Sequence, residues 1–177
     1  MGNQTKKNIL YNIVNVRQID ANVVTRLNQQ LGINQSYAVV EYENELEQFA
    51  KESKYIMRKQ AVIGDYTDCT CVERTQFQPL DDTILEAMAP HMMQLLKMQQ
   101  RFEKQEQFRM PNTLLHHETL FMKNLEFWNN FLDVAEITHV FFNQVPHEVY
   151  DNIIYYLCKI KKIKTVVSYW STLPNRS

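Results

Sequence analysis

The chain has 177 residues, 45% of them hydrophobic and 11% aromatic, which suits one packed domain and excludes wholesale disorder. A formal net charge of −1 gives no general pull toward nucleic acid or an anionic membrane. No apolar run approaches the roughly 20 residues of a membrane span, and the start MGNQTKKNILYN has no continuous apolar core, so the expected compartment is the cytoplasm.

Residues 9–16, ILYNIVNV, are rich in β-branched and aromatic types and predict a strand. A helix is expected from Asp20, carrying Val23, Val24, Leu27 and Leu31 and stopping at Gly32. Tyr37–Tyr42 reads as a short strand that runs into Glu41, Glu43, Glu45 and Glu47, a solvated acidic helix face. Ala61-Val62-Ile63 reads as a strand ending at Gly64-Asp65, followed by loop through DYTDCTCVERTQFQP.

From Pro79 the pattern turns helical. Asp81 or Asp82 can accept the orphan amides of a helix start, and Ile84, Met88, Met92, Leu95 and Leu96 share a face. Pro90 is expected to kink or divide this helix, since it has no amide to donate. After a polar break at 105–111, a helix over Asn112–Val134 carries Leu114, Phe121, Leu125, Trp128 and Leu132 on one side.

The last third, residues 138–169, reads as one βαβ unit: strand Thr138–Phe142, a polar turn, a helix with Pro146 in its first turn, and strand Ile163–Ser168. Val149, Ile153, Leu157 and Ile160 form the helix's apolar side, and Lys159, Lys161, Lys162 and Lys164 a solvated basic end. The whole chain, 1–177, is therefore expected to form a single α/β domain: a three-layer, Rossmann-like arrangement with a mostly parallel sheet.

Such sheets place ligands beyond the carboxyl ends of their strands, where Asn143, Gln144, His147 and Glu148 fall. Asn143 and Gln144 can donate to and accept from sugar hydroxyls, and His147 titrates near neutrality with Glu148 beside it. A purely structural reading stands next to this one, with Asn143 capping the turn and His147 and Glu148 filling a solvated first helical turn. Only three glycines occur, so no glycine-rich phosphate loop exists. Cys69-Thr-Cys71 has no second cysteine pair to complete a zinc site and reads as ordinary loop thiols. No metal and no cofactor are called for. Asp65, Asp68, Glu73 and Arg74 are polar enough to line a cleft.

The run FFNQVPHEVYDNIIYYLCKIKKIKTVV, with residues 79–90 and the helix around Phe127-Trp128 upstream, resembles capsular and surface-polysaccharide biosynthesis proteins. These are glycosyltransferase-like enzymes of the two-Rossmann-domain (GT-B) class. The resemblance rests on Asn143, Pro146, His147, Glu148, Tyr150, Asp151, Tyr155, Leu157, Lys162, Ile163, Lys164 and Thr165; Lys161-Lys162 stands where the pattern has a glycine.

It implies an N-terminal, acceptor-side domain that handles a glycan acceptor and shares a nucleotide sugar with a second Rossmann-like domain or subunit. It implies that His147 contacts or deprotonates an acceptor hydroxyl, that Glu148 supports it, and that Asn143 and Gln144 position the sugar. Tyr169 and Trp170, past the final strand, would mark a sugar-stacking surface or the interface with that second domain. The alternative is a non-catalytic carbohydrate-binding or protein-interaction domain.

Overall fold

A computed structural model describes residues 6–12, 21–41, 53–102 and 113–168. Its elements in chain order are β1 (Asn8–Asn12), α1 (Ala21–Leu31), β2 (Gln35–Val40), β3 (Ser53–Met57) and α2 (Arg58–Ile63). There follow α3 (Asp82–Phe102), α4 (Leu114–Val134), β4 (Ile137–Phe142), α5 (Val149–Ile160) and β5 (Lys164–Val167).

The five strands form one sheet in the order β3-β2-β1-β4-β5, and every neighbouring pair is parallel. This is the order of the first five strands of doubly wound dinucleotide-binding sheets. The α/β reading with a parallel sheet thus holds. β1 lies at the centre and all five of its residues are buried, as a strand covered on both faces requires. Leu10, Tyr37, Val39, Ile56, Val140 and Phe142 face the large core under α3, α4 and α5. The alternating residues Ile9, Tyr11, Ala38 and Val40 face Val24 of α1, with Phe141 packed alongside.

Most of the helices follow from their apolar spacing. Val24 of α1 is buried, and Gly32 takes a φ of +62° just past the helix end. Asp81 caps α3: its carboxylate accepts the Thr83 amide at 2.7 Å, and its carbonyl accepts the Ile84 amide. Ile84, Met88, Leu95 and Leu96 are buried, with Met92 packed against them. Thr113 caps α4 by accepting from the His116 amide at 3.2 Å. Phe121, Leu125, Trp128 and Leu132 are buried, whereas Leu114 at the helix start is exposed. Each fully buried side chain of this kind stabilises the fold by about 1.5–3 kcal/mol.

Two expectations need correction, and a third, at Pro90, is decided for division alone. Ala61-Val62-Ile63 is the end of helix α2, not a strand; only Ala61 is buried, and Gly64 closes the helix in the left-handed conformation with φ +61°. The strand in this region is the preceding Ser53–Met57. Pro90 does not divide its segment, because α3 runs unbroken from Asp82 to Phe102. Pro146 precedes α5 instead of starting it, since Glu148 is the cap and Val149 the first helical residue. In the turn before β5, Lys162 supplies the positive φ, +57°, that a glycine would otherwise provide.

Lys161 pairs with Asp133 at 2.7 Å, and Lys159 lies 4.3 Å above the Tyr155 ring, so the basic end of α5 is used locally. The strand expected over 9–16 is described only to Asn12. The acidic stretch 43–47, the polar break 105–111, Asp20, Tyr169 and Trp170 lie outside the described residues. No helix among the described residues is long and apolar enough to cross a membrane.

Candidate functional site

The sheet order reverses between β1 and β4, and the carboxyl ends of these strands are the natural place for a ligand crevice. The Asn143 amide donates to the Asn12 carbonyl at 3.2 Å, which ties the two strand ends together. The Asn12 side chain accepts from the buried Tyr150 hydroxyl at 3.2 Å. Burial pushes the Tyr150 phenol well above its ordinary pKa, so it acts here only as a hydrogen-bond donor.

Beside this pair is a charged cluster that sequence reading missed: Glu41, expected on a solvated helix face, is only 23% exposed and ion-paired. Arg58 is the first residue after β3, Glu41 the first after β2, and Glu148 the cap of α5. The Arg58 guanidinium grips both oxygens of Glu148: Nε donates to Oε2 at 3.0 Å and Nη2 to Oε1. Its remaining nitrogen, Nη1, donates to Glu41 at 2.5 Å. Two strand ends and the start of α5 are thereby joined through one planar cation, a geometry that Lys could not reproduce. The signal available in the sequence was one Arg and one Glu directly following strands, but their pairing depends on strand order.

Asp151 is fully buried one turn further on. Its carboxylate accepts the amides of Glu148 at 2.8 Å and His147 at 3.0 Å, satisfying the otherwise orphaned start of α5. Burial raises its pKa to about 7, and the hydrogen bonds from His147 and Asn152 only partly oppose the rise.

His147 is 46% exposed, and the carboxylate beside its ring is Asp151, with Nδ1 3.7 Å from Oδ2. Nδ1 also lies 3.3 Å from the Val145 carbonyl. A carbonyl can only accept, so that contact places the proton on Nδ1 and the basic lone pair on Nε2. Burial lowers the imidazole pKa, the Val145 bond opposes this, and the Arg58 charge adds to the lowering; the ring is neutral at pH 7.

Glu148 is only 3% exposed and points to Arg58, not to His147. Asn143 is buried and Gln144 half-buried in the turn between β4 and α5. The structure thus gathers Asn143, Gln144, His147 and Glu148 around one end of the sheet and adds Asn12, Glu41, Arg58, Tyr150 and Asp151.

Among the described residues no three His, Cys, Asp or Glu side chains are arranged to hold a metal ion. Comparison with protein-family models, with curated proteins and with solved structures returned no match to this chain.

Proposed function

We propose that this chain is the acceptor-side, Rossmann-like domain of a glycosyltransferase-type enzyme of surface-polysaccharide assembly, acting in the cytoplasm with a second domain or subunit that holds the nucleotide sugar. The observation that carries this reading is Glu41 at the carboxyl edge: its side chain is 23% exposed beside Arg58, whereas Glu148 and Asp151 are buried. A partly exposed carboxylate suits ligands that donate hydrogen bonds, such as sugar hydroxyls, and disfavours a diphosphate. The donor nucleotide therefore falls to the other domain.

On this reading Glu41 takes an acceptor hydroxyl, the buried Asn143 fixes the turn behind it, and Nε2 of His147 removes the proton of the hydroxyl that attacks the donor sugar. Asp151 steadies the imidazole, and Glu148 acts through Arg58 by holding the strand ends in register. Gln144 lies beside the acceptor, and Tyr169 and Trp170 would stack against it.

Calorimetric titration of the purified chain with a panel of oligosaccharides and with nucleotide sugars tests the proposal. Glycan binding weakened about tenfold or more by Glu41→Gln, with no binding of nucleotide sugars to the chain alone, is the expected result. Absence of glycan binding sinks it. The second reading, carbohydrate binding without transfer, is favoured by the closed Arg58–Glu148 pair, which leaves Glu148 no proton to move. Undiminished turnover in His147→Ala with the donor domain present would assign the site to binding alone.

A further inference from the structure

Away from the sheet edge, the loop between α2 and α3 brings Cys69 and Cys71 together. Their sulfurs are 2.9 Å apart, and the side chains are 7% and 5% exposed. Neither is bonded to another cysteine. Thr70 between them is exposed, so the backbone turns outward while both thiols point in. The Cys69 amide donates to the Tyr66 carbonyl at 3.0 Å, and the Arg74 guanidinium donates to the same carbonyl at 3.3 Å. Tyr66 is anchored in turn by stacking on Phe127, with ring centroids 3.5 Å apart. The turn that brings the sulfurs together is thus anchored through Tyr66.

We propose that Cys69 and Cys71 are a redox-active dithiol, closed by a peroxide to an intramolecular disulfide. The two sulfurs differ in character, as such a pair requires. The hydrogen bond from Cys71 and the charge of Arg74 bring Cys69 down to a pKa of about 7 despite its burial. Cys71 is held up as the protonated partner by that same bond and by burial. The Cys69 thiolate attacks one oxygen of the peroxide, the O–O bond breaks, and the leaving hydroxide takes a proton to become water. The Cys71 sulfur then attacks the Cys69 sulfenic acid, the S–O bond breaks, and a second water leaves with the Cys71 proton. The sum is two thiols and one hydrogen peroxide giving one disulfide and two waters.

The sulfurs must approach by under about 1 Å to reach the 2.05 Å of a disulfide. The loop that carries them also forms one wall of a cavity of about 300 Å³ lined by Gly64, Asp65, Tyr66, Arg74, Lys123 and Phe127. Closing the disulfide ties this wall down, so the cavity's shape follows the oxidation state of the pair.

The test treats the reduced, full-length chain with hydrogen peroxide at pH 7, blocks residual thiols with iodoacetamide, and maps the peptides by mass spectrometry. Cys158 is the internal control, because it is fully buried and burial pushes its pKa to about 12. The expected result is a Cys69–Cys71 crosslink lacking two hydrogens, formed at least ~10-fold faster than any loss of Cys158 and reversed by dithiothreitol. In Cys71→Ser the reaction should stop at a Cys69 sulfenic acid that dimedone traps. Alkylation of both loop thiols after peroxide, disulfides between chains, or oxidation spread evenly to Cys158 would each overturn the proposal, and the wild-type mapping decides even if the variant does not fold.

Discussion

Arg58 and Glu148, 90 residues apart in the chain, form a two-pronged ion pair that bridges the end of β3 and the start of α5. Glu148 is almost wholly buried, whereas Arg58 keeps a second carboxylate, Glu41. The two halves of the pair are therefore unequal. Arg58→Ala strands a buried carboxylate and is expected to lower stability by about 3–5 kcal/mol. Glu148→Gln leaves Arg58 paired with Glu41 and should cost clearly less. Urea denaturation of both variants measures the order, and equal losses would contradict this account of the cluster.

Asp151 makes stability depend on pH in a stated direction. Its pKa is about 7 in the folded protein, against an ordinary value of 3.8. The unfolded chain gives up this proton first as pH rises, so the stabilisation is complete below about pH 4 and is lost as pH climbs through 7. The shift corresponds to as much as ~4 kcal/mol between those limits. Asp151→Asn cannot titrate, so the difference in unfolding free energy between wild type and variant should change across pH 4–7 and be flat above about pH 8. A constant difference throughout would show that burial does not govern this carboxyl.

Much of the fold was legible because its helices and buried strands obey simple periods. The spacing of Phe121, Leu125, Trp128 and Leu132 marks α4, and the apolar side of α5 with its flanking strands marks the last third. The strand β3 was missed because it contributes little apolar signal: Lys54 and Tyr55 are exposed and Ile56 is its one buried residue among those with described side chains. Ala61-Val62-Ile63 misled because three apolar residues before a glycine suit a strand end and a helix C-terminus equally. At the site, the neighbourhood of Asn143 to Glu148 could be read from its place after a strand. Arg58 and Glu41 could not, since what brings them there is the order in which β2 and β3 join the sheet.

Two glycines with nearly the same backbone conformation separate strain from crowding. Gly32 and Gly64 have φ of +62° and +61°, so a side chain at either meets the left-handed penalty of about 1–2 kcal/mol. Around Gly32 there is open space, but a Cβ on Gly64 would come 2.4 Å from the Leu120 Cδ1 atom. Gly64→Ala should therefore be more destabilising than Gly32→Ala by about 1–3 kcal/mol, the usual range for overpacking. Thermal unfolding of the two variants gives the comparison. Similar melting temperatures would mean that Leu120 can move aside freely.

Thr138 repairs an irregularity in the central strand pair. The register between β1 and β4 slips at Asn8/Ile9, so that Asn8 faces Ile137 and Ile9 faces His139. Thr138 is left over, and its hydroxyl does the work of the missing backbone partner: it accepts from the Asn8 amide at 3.1 Å and donates to the Asn8 carbonyl at 3.0 Å. Thr138→Val preserves shape and β preference but removes both bonds, leaving two backbone groups of the central strand unsatisfied. A loss of about 2 kcal/mol is expected, and Thr138→Ser, which keeps the hydroxyl, should recover most of it. The slip places Phe142 opposite Asn12, so the same change should also weaken amide-exchange protection at Asn143, whose N–H is held by the Asn12 carbonyl. If Thr138→Val is as stable as wild type and protects Asn143 equally, water or a shifted register satisfies Asn8 instead.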